Sequence, residues 1–259
     1  MFDLQAYLLG LTAIVVMALA AWGVGSLRRD VTVVDSFWSL FFLAATVTYT
    51  TQVADPGPRA TLVLWVVALW ALRLAGHLTW RNHGRSEDHR YQAIRRSHEP
   101  HFAWKSLYLI FGLQGILAWV ISLPLLAAVT GQQPLGMWDA AGIALWLTGM
   151  VFEGLGDLQL ARFNAQPENR DRVLDRGLWR YTRHPNYFGE CCVWWGYYLM
   201  AMSAGGWWSI VSPLLMTYLL YRVSGVALLE RDIHERRPAY RDYIARTNAF
   251  LPGRPHRAT

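Results

Sequence analysis

The chain alternates between long apolar runs and short charged stretches. An α-helix needs about 20 consecutive apolar residues to cross the hydrocarbon core of a bilayer. Because backbone groups inside a bilayer must find hydrogen bonds within their own segment, each such run is predicted to be a helix. The predicted fold class is all-α, a polytopic membrane protein with seven transmembrane helices. The predicted helices span residues 4–25, 33–50, 60–80, 107–130, 137–158, 188–204 and 207–229.

The first apolar run has a second interpretation, because Ala18-Leu19-Ala20 resembles the cleavage site of a signal peptide. The run begins with Asp3 instead of a positively charged segment, and two arginines follow it. We therefore expect a membrane helix here, within a single integral membrane domain that covers residues 1–259.

Positive charge is distributed unevenly among the segments between the predicted helices. Arginine and lysine concentrate after the first, third and fifth helices and in the C-terminal tail, whereas the other loops contain only Arg59. By the positive-inside rule, the N-terminus is expected outside and the C-terminus in the cytoplasm. The cytoplasmic segments 81–106, 159–187 and 230–259 are then expected to cover the working site.

Composition agrees with a membrane protein, since 54% of the residues are hydrophobic and 16% are charged, against about 25% charged in soluble domains. The net charge of +6 does not indicate nucleic-acid binding, because the positive residues alternate with apolar spans instead of lining one face. The two cysteines, Cys191 and Cys192, are adjacent and lack the spacing of a zinc site or a disulfide framework. We expect no metal ion.

A charged side chain near the middle of a membrane helix costs at least about 2.5–3.5 kcal/mol, so each one is a functional candidate. Several ionisable residues fall in the cytoplasmic half of the predicted spans or, in the case of Glu230, directly at the end of the seventh span. They are Asp35, Arg73, His77, Glu153, Asp157, Glu190 and Glu230. These side chains could pair with one another to hold helices together. We favour the interpretation that they line a shared polar cavity.

The segment before the sixth predicted helix combines arginines with residues suited to anion binding. Pro185 fits the first turn of a helix, and Gly189 permits close backbone approach. A helix N-terminus surrounded by guanidinium groups can hold an anion such as pyrophosphate. The same arginines could instead bind anionic lipid headgroups. No glycine-rich nucleotide loop of the Rossmann or P-loop type occurs in the chain.

The run from Gly177 to Glu190, GLWRYTRHPNYFGE, together with the arginine-rich tail, resembles the bacterial membrane branch of the steroid 5α-reductase family. The resemblance implies a seven-helix protein of the bacterial inner membrane that binds NADPH on its cytoplasmic side. It also implies reduction of the 4,5 double bond of a 3-oxo-4-ene steroid or similar enone lipid that enters from the bilayer. Hydride would reach the β-carbon while an acidic pair polarises the ketone.

The resemblance also assigns residues to the cofactor. Asn82, Gly84 and Arg85 match an Asn-x-Gly-Arg motif, and Asn186 and Glu190 match an Asn-x-x-Gly-Glu motif. The full set of expected cofactor residues is Asn82, Arg85, Asp157, Arg172, Tyr181, His184, Asn186, Tyr187, Glu190 and Arg231.

The expected catalytic residues depart from the family pattern. Asp35 lies where the family has a Gln-Glu pair, and Trp70 lies near the position of the family's tyrosine. Tyr91 could take the place of that tyrosine if the loop after the third helix folds back. Asp35 and Tyr91 are therefore the predicted catalytic pair, since a carboxyl in an apolar site can keep its proton and donate it.

Two other functions stay open from the sequence. The motif Arg-His-Pro-x-Tyr-x-Gly, residues 183–189, also resembles isoprenylcysteine carboxyl methyltransferases, in which S-adenosylmethionine would occupy the site. The many arginines and the intramembrane Asp35 favour a phosphate-bearing cofactor and an acid catalyst. A membrane protein that binds sterols or lipids without catalysis is the third possibility.

Overall fold

The structure is a computed structural model that describes residues 2–170, 172–223, 225, 226, 230 and 240–256. Over these residues the secondary structure is helical, and no strand occurs among them. The chain divides into two compact units. The first contains Met1–Gly136 and Ala201–Ser209, and the second contains Met137–Met200 and Ile210–Thr259.

The first unit begins with three long helices, α1 (Leu4–Arg28), α2 (Val33–Thr51) and α3 (Pro58–Asn82). Asp3 caps α1 by accepting a hydrogen bond of 2.9 Å from the amide of Ala6. The helices pack closely because α1 presents Gly10 to the ring of Tyr49, where a Cβ atom would lie 2.8 Å from the phenol oxygen. These elements confirm helices at the first three predicted spans.

The rest of the first unit is more segmented. It contains α4 (His89–His98), α5 (Phe102–Ser106), a π-helical segment (Leu107–Gly112), α6 (Leu113–Ile121) and α7 (Leu123–Thr130). The predicted fourth helix, 107–130, thus begins earlier and divides at Ser122. Pro124 lies in the first turn of α7, and proline cannot donate the backbone hydrogen bond that a continuous helix needs.

Arg59, the one arginine in the loops predicted to face outward, is 1% exposed at the start of α3. Its guanidinium donates to the carbonyl of Pro134 at 2.8 Å and to the hydroxyl of Ser203 at 3.0 Å. This arginine therefore joins three segments of the first unit, which explains its departure from the charge distribution of the other loops.

The second unit is built around α8 (Met137–Asn164), which is longer than the predicted 137–158. Two 3₁₀ segments follow, Pro167–Asn169 and Gly177–Arg180, before α9 (Pro185–Ser203). The remaining described elements are a 3₁₀ segment (Trp207–Ile210), α10 (Val211–Tyr218), a π-helical segment (Leu219–Val223) and α11 (Tyr240–Arg246). Residues 201–209 of this stretch belong to the first unit.

Helices α8 and α9 approach each other through glycines spaced seven residues apart. A Cβ atom at Gly149 would lie 2.5 Å from the carbonyl oxygen of Gly189, and one at Gly142 would lie 2.7 Å from that of Gly196. Real Cβ atoms do not come so close, so the two backbones are in direct contact. Small residues allow this packing between apolar helices, where the hydrophobic effect gives little drive for association.

Among the residues that the structure describes, five helical stretches are long and apolar enough to cross a membrane. They are Leu4–Arg28, Val33–Thr51, Pro58–Asn82, Phe102–Ile121 and Met137–Asn164. The sixth predicted span is helical from Pro185 to Ser203. The seventh runs partly outside the described residues, so the count of seven spans and the orientation of the termini stay predictions.

Candidate active site

Asp35, in the first turn of α2, accepts hydrogen bonds from two residues of α4. The phenol of Tyr91 donates to Oδ1 of Asp35 at 2.5 Å, and Nη2 of Arg90 donates to Oδ2 at 3.1 Å. Gln114, in α6, donates to the phenol oxygen of Tyr91 at 3.3 Å. The structure thus brings Asp35 and Tyr91 together within the first unit, with Asp35 accepting hydrogen bonds from a phenol and a guanidinium, whereas the sequence analysis expected Asp35 to donate a proton.

The position of α4 depends on the loop that precedes it. The amide of Val31 donates to Glu87 at 3.0 Å, and the amide of Asp88 donates to the hydroxyl of Thr32 at 2.9 Å. Asp88 also caps α4 by accepting from the amide of Arg90 at 2.9 Å. These contacts fasten the loop to the turn between α1 and α2, next to Asp35, and bring the first turn of α4 over that carboxylate.

The charges of this region set the protonation of its groups. Burial, followed by the neighbouring charge of Asp35, raises the pKa of the Tyr91 phenol well above its ordinary value. Burial raises the pKa of Asp88, but the hydrogen bonds and the charge of Arg90 together lower it by a larger amount. The pKa of Asp88 therefore lies below its ordinary value. At neutral pH the site therefore contains a protonated phenol, which is a neutral hydrogen-bond donor.

Two other predicted residues of this unit follow α3. The side-chain oxygen of Asn82 accepts from Nε of Arg81 at 3.1 Å, while its amide nitrogen is buried and has no hydrogen-bond partner among the described residues. Gly84 has a positive φ of 71°, and Arg85 is exposed. A buried amide without a partner costs free energy, so a bound acceptor would stabilise it.

Trp70, near the expected tyrosine position, is fully buried and lies against Phe42 with 5.8 Å between ring centroids. It is therefore part of the packing between helices of the first unit. Arg90 and Gln114 were not predicted from the sequence, and both contact the Asp35–Tyr91 pair. Arg90 could have been considered from the sequence because it directly precedes Tyr91. Gln114 lies 23 positions from Tyr91 in the chain, and no sequence pattern indicated their contact.

In the second unit, two predicted cofactor residues contact each other at the start of α9. The side-chain amide of Asn186 donates to Oδ1 of Asp157 at 3.2 Å. Gly156 permits the close approach of α8 here, because a Cβ atom on it would lie 3.2 Å from the backbone nitrogen of Asn186. The side-chain oxygen of Asn186 accepts from the amide of Tyr187 at 3.1 Å.

His184 lies in an ion-pair cluster next to this pair. Glu230 accepts from Nε of Arg183 at 2.7 Å, from Nη2 of Arg183 at 2.8 Å and is 2.9 Å from Nε2 of His184. Burial raises the pKa of Glu230, but the hydrogen bonds from Arg183 and His184 outweigh it and bring the pKa to about 2. The ring of Tyr187 stacks on His184, with centroids 5.6 Å apart.

The C-terminal segment, residues 247–253, forms hydrogen bonds with residues 181–183, which lie just before α9. Arg183 donates through its backbone to the carbonyl of Asn248 at 2.9 Å, and its side chain donates to the carbonyl of Thr247. The hydroxyl of Thr182 donates to Phe250 at 2.8 Å, and the amide of Gly253 donates to Tyr181 at 3.0 Å. Residues 181–183 are therefore held through both their side chains and their backbone.

The other predicted residues of this unit are more open. Tyr181 and Arg172 are exposed, and Glu190 is half-buried on the first turns of α9. Arg231 lies outside the described residues. No group of three or more histidine, cysteine or acidic side chains suited to a metal ion occurs in the part of the chain that the structure describes.

Comparison with known proteins gives a relative that matches most of the chain and others that match about a quarter of it. An uncharacterised protein of Schizosaccharomyces pombe, C594.04c, is 24% identical over 295 aligned residues, covering 97% of this chain and 81% of the relative. The 3-oxo-5-alpha-steroid 4-dehydrogenase 1 of Bos taurus is 38% identical over 66 residues, 26% of each chain. The human enzyme of that name is 35% identical over 65 residues, 25% of each chain.

The matches to the steroid dehydrogenases thus span about a quarter of their length. No solved structure matches the chain. A family model described as "Protein of unknown function (DUF1295)" matches residues 21–247, which is most of the sequence. The chain belongs to the DUF1295 family.

Proposed function

We propose that this protein is an NADPH-dependent membrane reductase that saturates the 4,5 double bond of 3-oxo-4-ene steroids or similar enone lipids. The observation that supports the proposal best is the 2.5 Å hydrogen bond from the Tyr91 phenol to Asp35, which lies in the first turn of the apolar helix α2. Enone reduction needs a proton donor beside the ketone oxygen, because negative charge develops on that oxygen as hydride reaches the β-carbon.

Tyr91 is the proposed donor. Its raised pKa keeps the phenol protonated at neutral pH, so that it can donate a hydrogen bond to a ketone oxygen. When the phenol turns from Asp35 to the ketone, the carboxylate keeps its hydrogen bond from Arg90. Gln114 donates to the phenol oxygen and limits its rotation. Asp35 then orients the phenol, and the guanidinium of Arg90 stabilises the negative charge that proton transfer would leave on the phenol oxygen.

NADPH, when bound, supplies the hydride. In each unit, residues that the resemblance assigns to the cofactor offer groups that a dinucleotide needs. The buried amide of Asn82 has an unused hydrogen-bond donor among the described residues, and Arg85 is exposed beside it. Asn186, held by Asp157, stands at the start of α9 with Tyr187 and Glu190. Tyr181, His184, Arg172 and Arg231 complete the proposed set.

The protein is further proposed to cross the bacterial inner membrane seven times, with the N-terminus outside and the basic segments in the cytoplasm. The uneven distribution of arginine supports this orientation. A lipid-soluble substrate would then enter from the bilayer. The surrounding lipids are the other proposed partners of the protein.

The test is a reaction with purified protein in detergent, NADPH and a panel of 3-oxo-4-ene steroids. Loss of nicotinamide absorbance that depends on the steroid, with a saturated A ring in the product, is the expected result. The Tyr91→Phe variant is the matched control, because it removes only the donor. Binding of S-adenosylmethionine without NADPH binding would instead establish a methyltransferase, and binding of steroid alone would indicate a lipid-binding protein.

A further inference from the structure

A cleft of about 400 Å³ lies in the second unit, where α8 ends. Its volume falls within the range of roughly 300–1,000 Å³ typical of small-molecule sites. Neither the resemblance nor the comparisons assign it a role. Its lining residues are Gln159, Arg162, Phe163, Gln166, Leu174, Arg176 and Gly177.

The walls of this cleft are fixed by backbone geometry. Gly177 has a positive φ of 63°, and a Cβ atom on it would lie 2.6 Å from the side-chain oxygen of Gln159. That oxygen accepts from the amide of Leu178 at 3.0 Å. Phe163 and Leu174 are buried and pack together with Trp179. The cleft therefore combines a rigid apolar base with an amide wall.

Two arginines line this base without being used elsewhere. In the part of the chain that the structure describes, the guanidinium groups of Arg162 and Arg176 take part in no hydrogen bond or ion pair. The acidic neighbour of Arg176, Asp175, is 3.4 Å from Nη2 of Arg246 instead. Two like charges that share a cleft repel each other, and an anion bound between them would relieve that repulsion.

We propose that the Arg162–Arg176 cleft binds a phosphate monoester, and that this group is the 2′-phosphate that distinguishes NADPH from NADH. The planar guanidinium forms paired hydrogen bonds with phosphate oxygens, and two such groups match a doubly charged phosphate. The inference rests on the proposed dinucleotide-dependent function. A lipid headgroup carries the same phosphate chemistry, and the experiment separates these two sources.

The experiment compares dissociation constants of NADPH and NADH for the full chain in detergent. Arg162→Gln and Arg176→Gln are the test variants, and Arg170→Gln is the control, because Arg170 is an exposed arginine of the same unit that does not line the cleft. Wild-type protein is expected to bind NADPH more tightly than NADH. Each test variant should lose about tenfold in NADPH affinity, with NADH affinity and the control unchanged.

Unchanged NADPH affinity in both variants, or equal losses for NADPH and NADH, would overturn the assignment. If wild-type protein binds neither dinucleotide, the proposed function fails, and binding of inorganic phosphate then tests the cleft. Loss of phosphate binding in the two variants, but not in Arg170→Gln, would support the site. Loss only of binding to vesicles that contain phosphatidic acid, relative to phosphatidylcholine alone, would overturn the nucleotide assignment and identify a lipid headgroup.

Discussion

The phenol oxygen of Tyr91 lies 2.5 Å from a carboxylate oxygen of Asp35, although 56 positions separate the two residues in the chain. The loop before α4 is fastened to the turn before Asp35 by two hydrogen bonds, one from the amide of Val31 to the Glu87 carboxylate and one from the amide of Asp88 to the Thr32 hydroxyl. The proton donor of the proposed reaction is thus positioned by contacts of the loop before α4. The carboxyl group that orients it lies in the first turn of the apolar helix α2.

Replacing Tyr91 with phenylalanine should lower turnover by about 10²- to 10⁴-fold, the range for loss of a general acid. Dissociation constants for NADPH should stay unchanged, because the phenol is not assigned to the cofactor. Steady-state kinetics and cofactor titration measure the two quantities. The exposed Tyr108 provides the control variant Tyr108→Phe. Full activity in Tyr91→Phe would exclude the phenol as proton donor.

Asp35→Asn should also lower turnover while leaving NADPH binding intact, since the neutral amide keeps the size of the side chain but accepts a weaker hydrogen bond from the Tyr91 phenol. Its rate loss should overlap with that of Tyr91→Phe, because the two residues act as a pair. The double variant measures this coupling. Fully additive losses would show that the two groups act independently.

Asn186→Ala should weaken NADPH binding about tenfold by removing a side-chain amide that Asp157 holds in place. Asn164, an exposed residue at the end of α8, provides the control variant Asn164→Ala. Titration with NADPH measures the change. Equal dissociation constants for wild type and Asn186→Ala would remove this residue from the cofactor set.

Gly149→Ala should destabilise the protein, because its Cβ atom would lie 2.5 Å from the carbonyl oxygen of Gly189. Overpacking of this kind costs about 1–3 kcal/mol. Gly154→Ala, on the same helix, is the control, since a Cβ atom there meets nothing within 4 Å. Thermal unfolding in detergent should show a lower Tm for the first variant only. An equal or higher Tm would show that α8 and α9 can separate at little cost.

Glu230 should make stability depend on acid pH. Its pKa falls from an ordinary 4.5 to about 2 in the folded protein. A depressed carboxyl pKa contributes stability that is fully present above 4.5 and is lost as the pH falls toward 2. The stability difference between wild type and Glu230→Gln should therefore shrink between these values, as measured by unfolding at several pH values. Glu168→Gln is an exposed control. A constant difference would contradict the depressed pKa.

The sequence by itself determined the helical character of the chain and the location of most apolar spans. Hydrophobic transfer depends on local composition, and a helix satisfies its backbone within one segment, so length and hydropathy were enough. The same reasoning found Asp35, because a carboxyl at the end of an apolar run is unfavourable wherever the rest of the chain lies. The division at Ser122 and the extension of α8 to Asn164 were missed, since helix ends depend on local packing.

Only the tertiary structure decided which partners these groups have. Within the first unit it brought Tyr91 to Asp35 and added Arg90 and Gln114. Among the arginines near α9 it paired Arg183 with Glu230. Hydrogen bonds and ion pairs act over about 3 Å between residues that are far apart in the chain. A sequence pattern carries charge and periodicity, whereas the folding of the loops sets those distances.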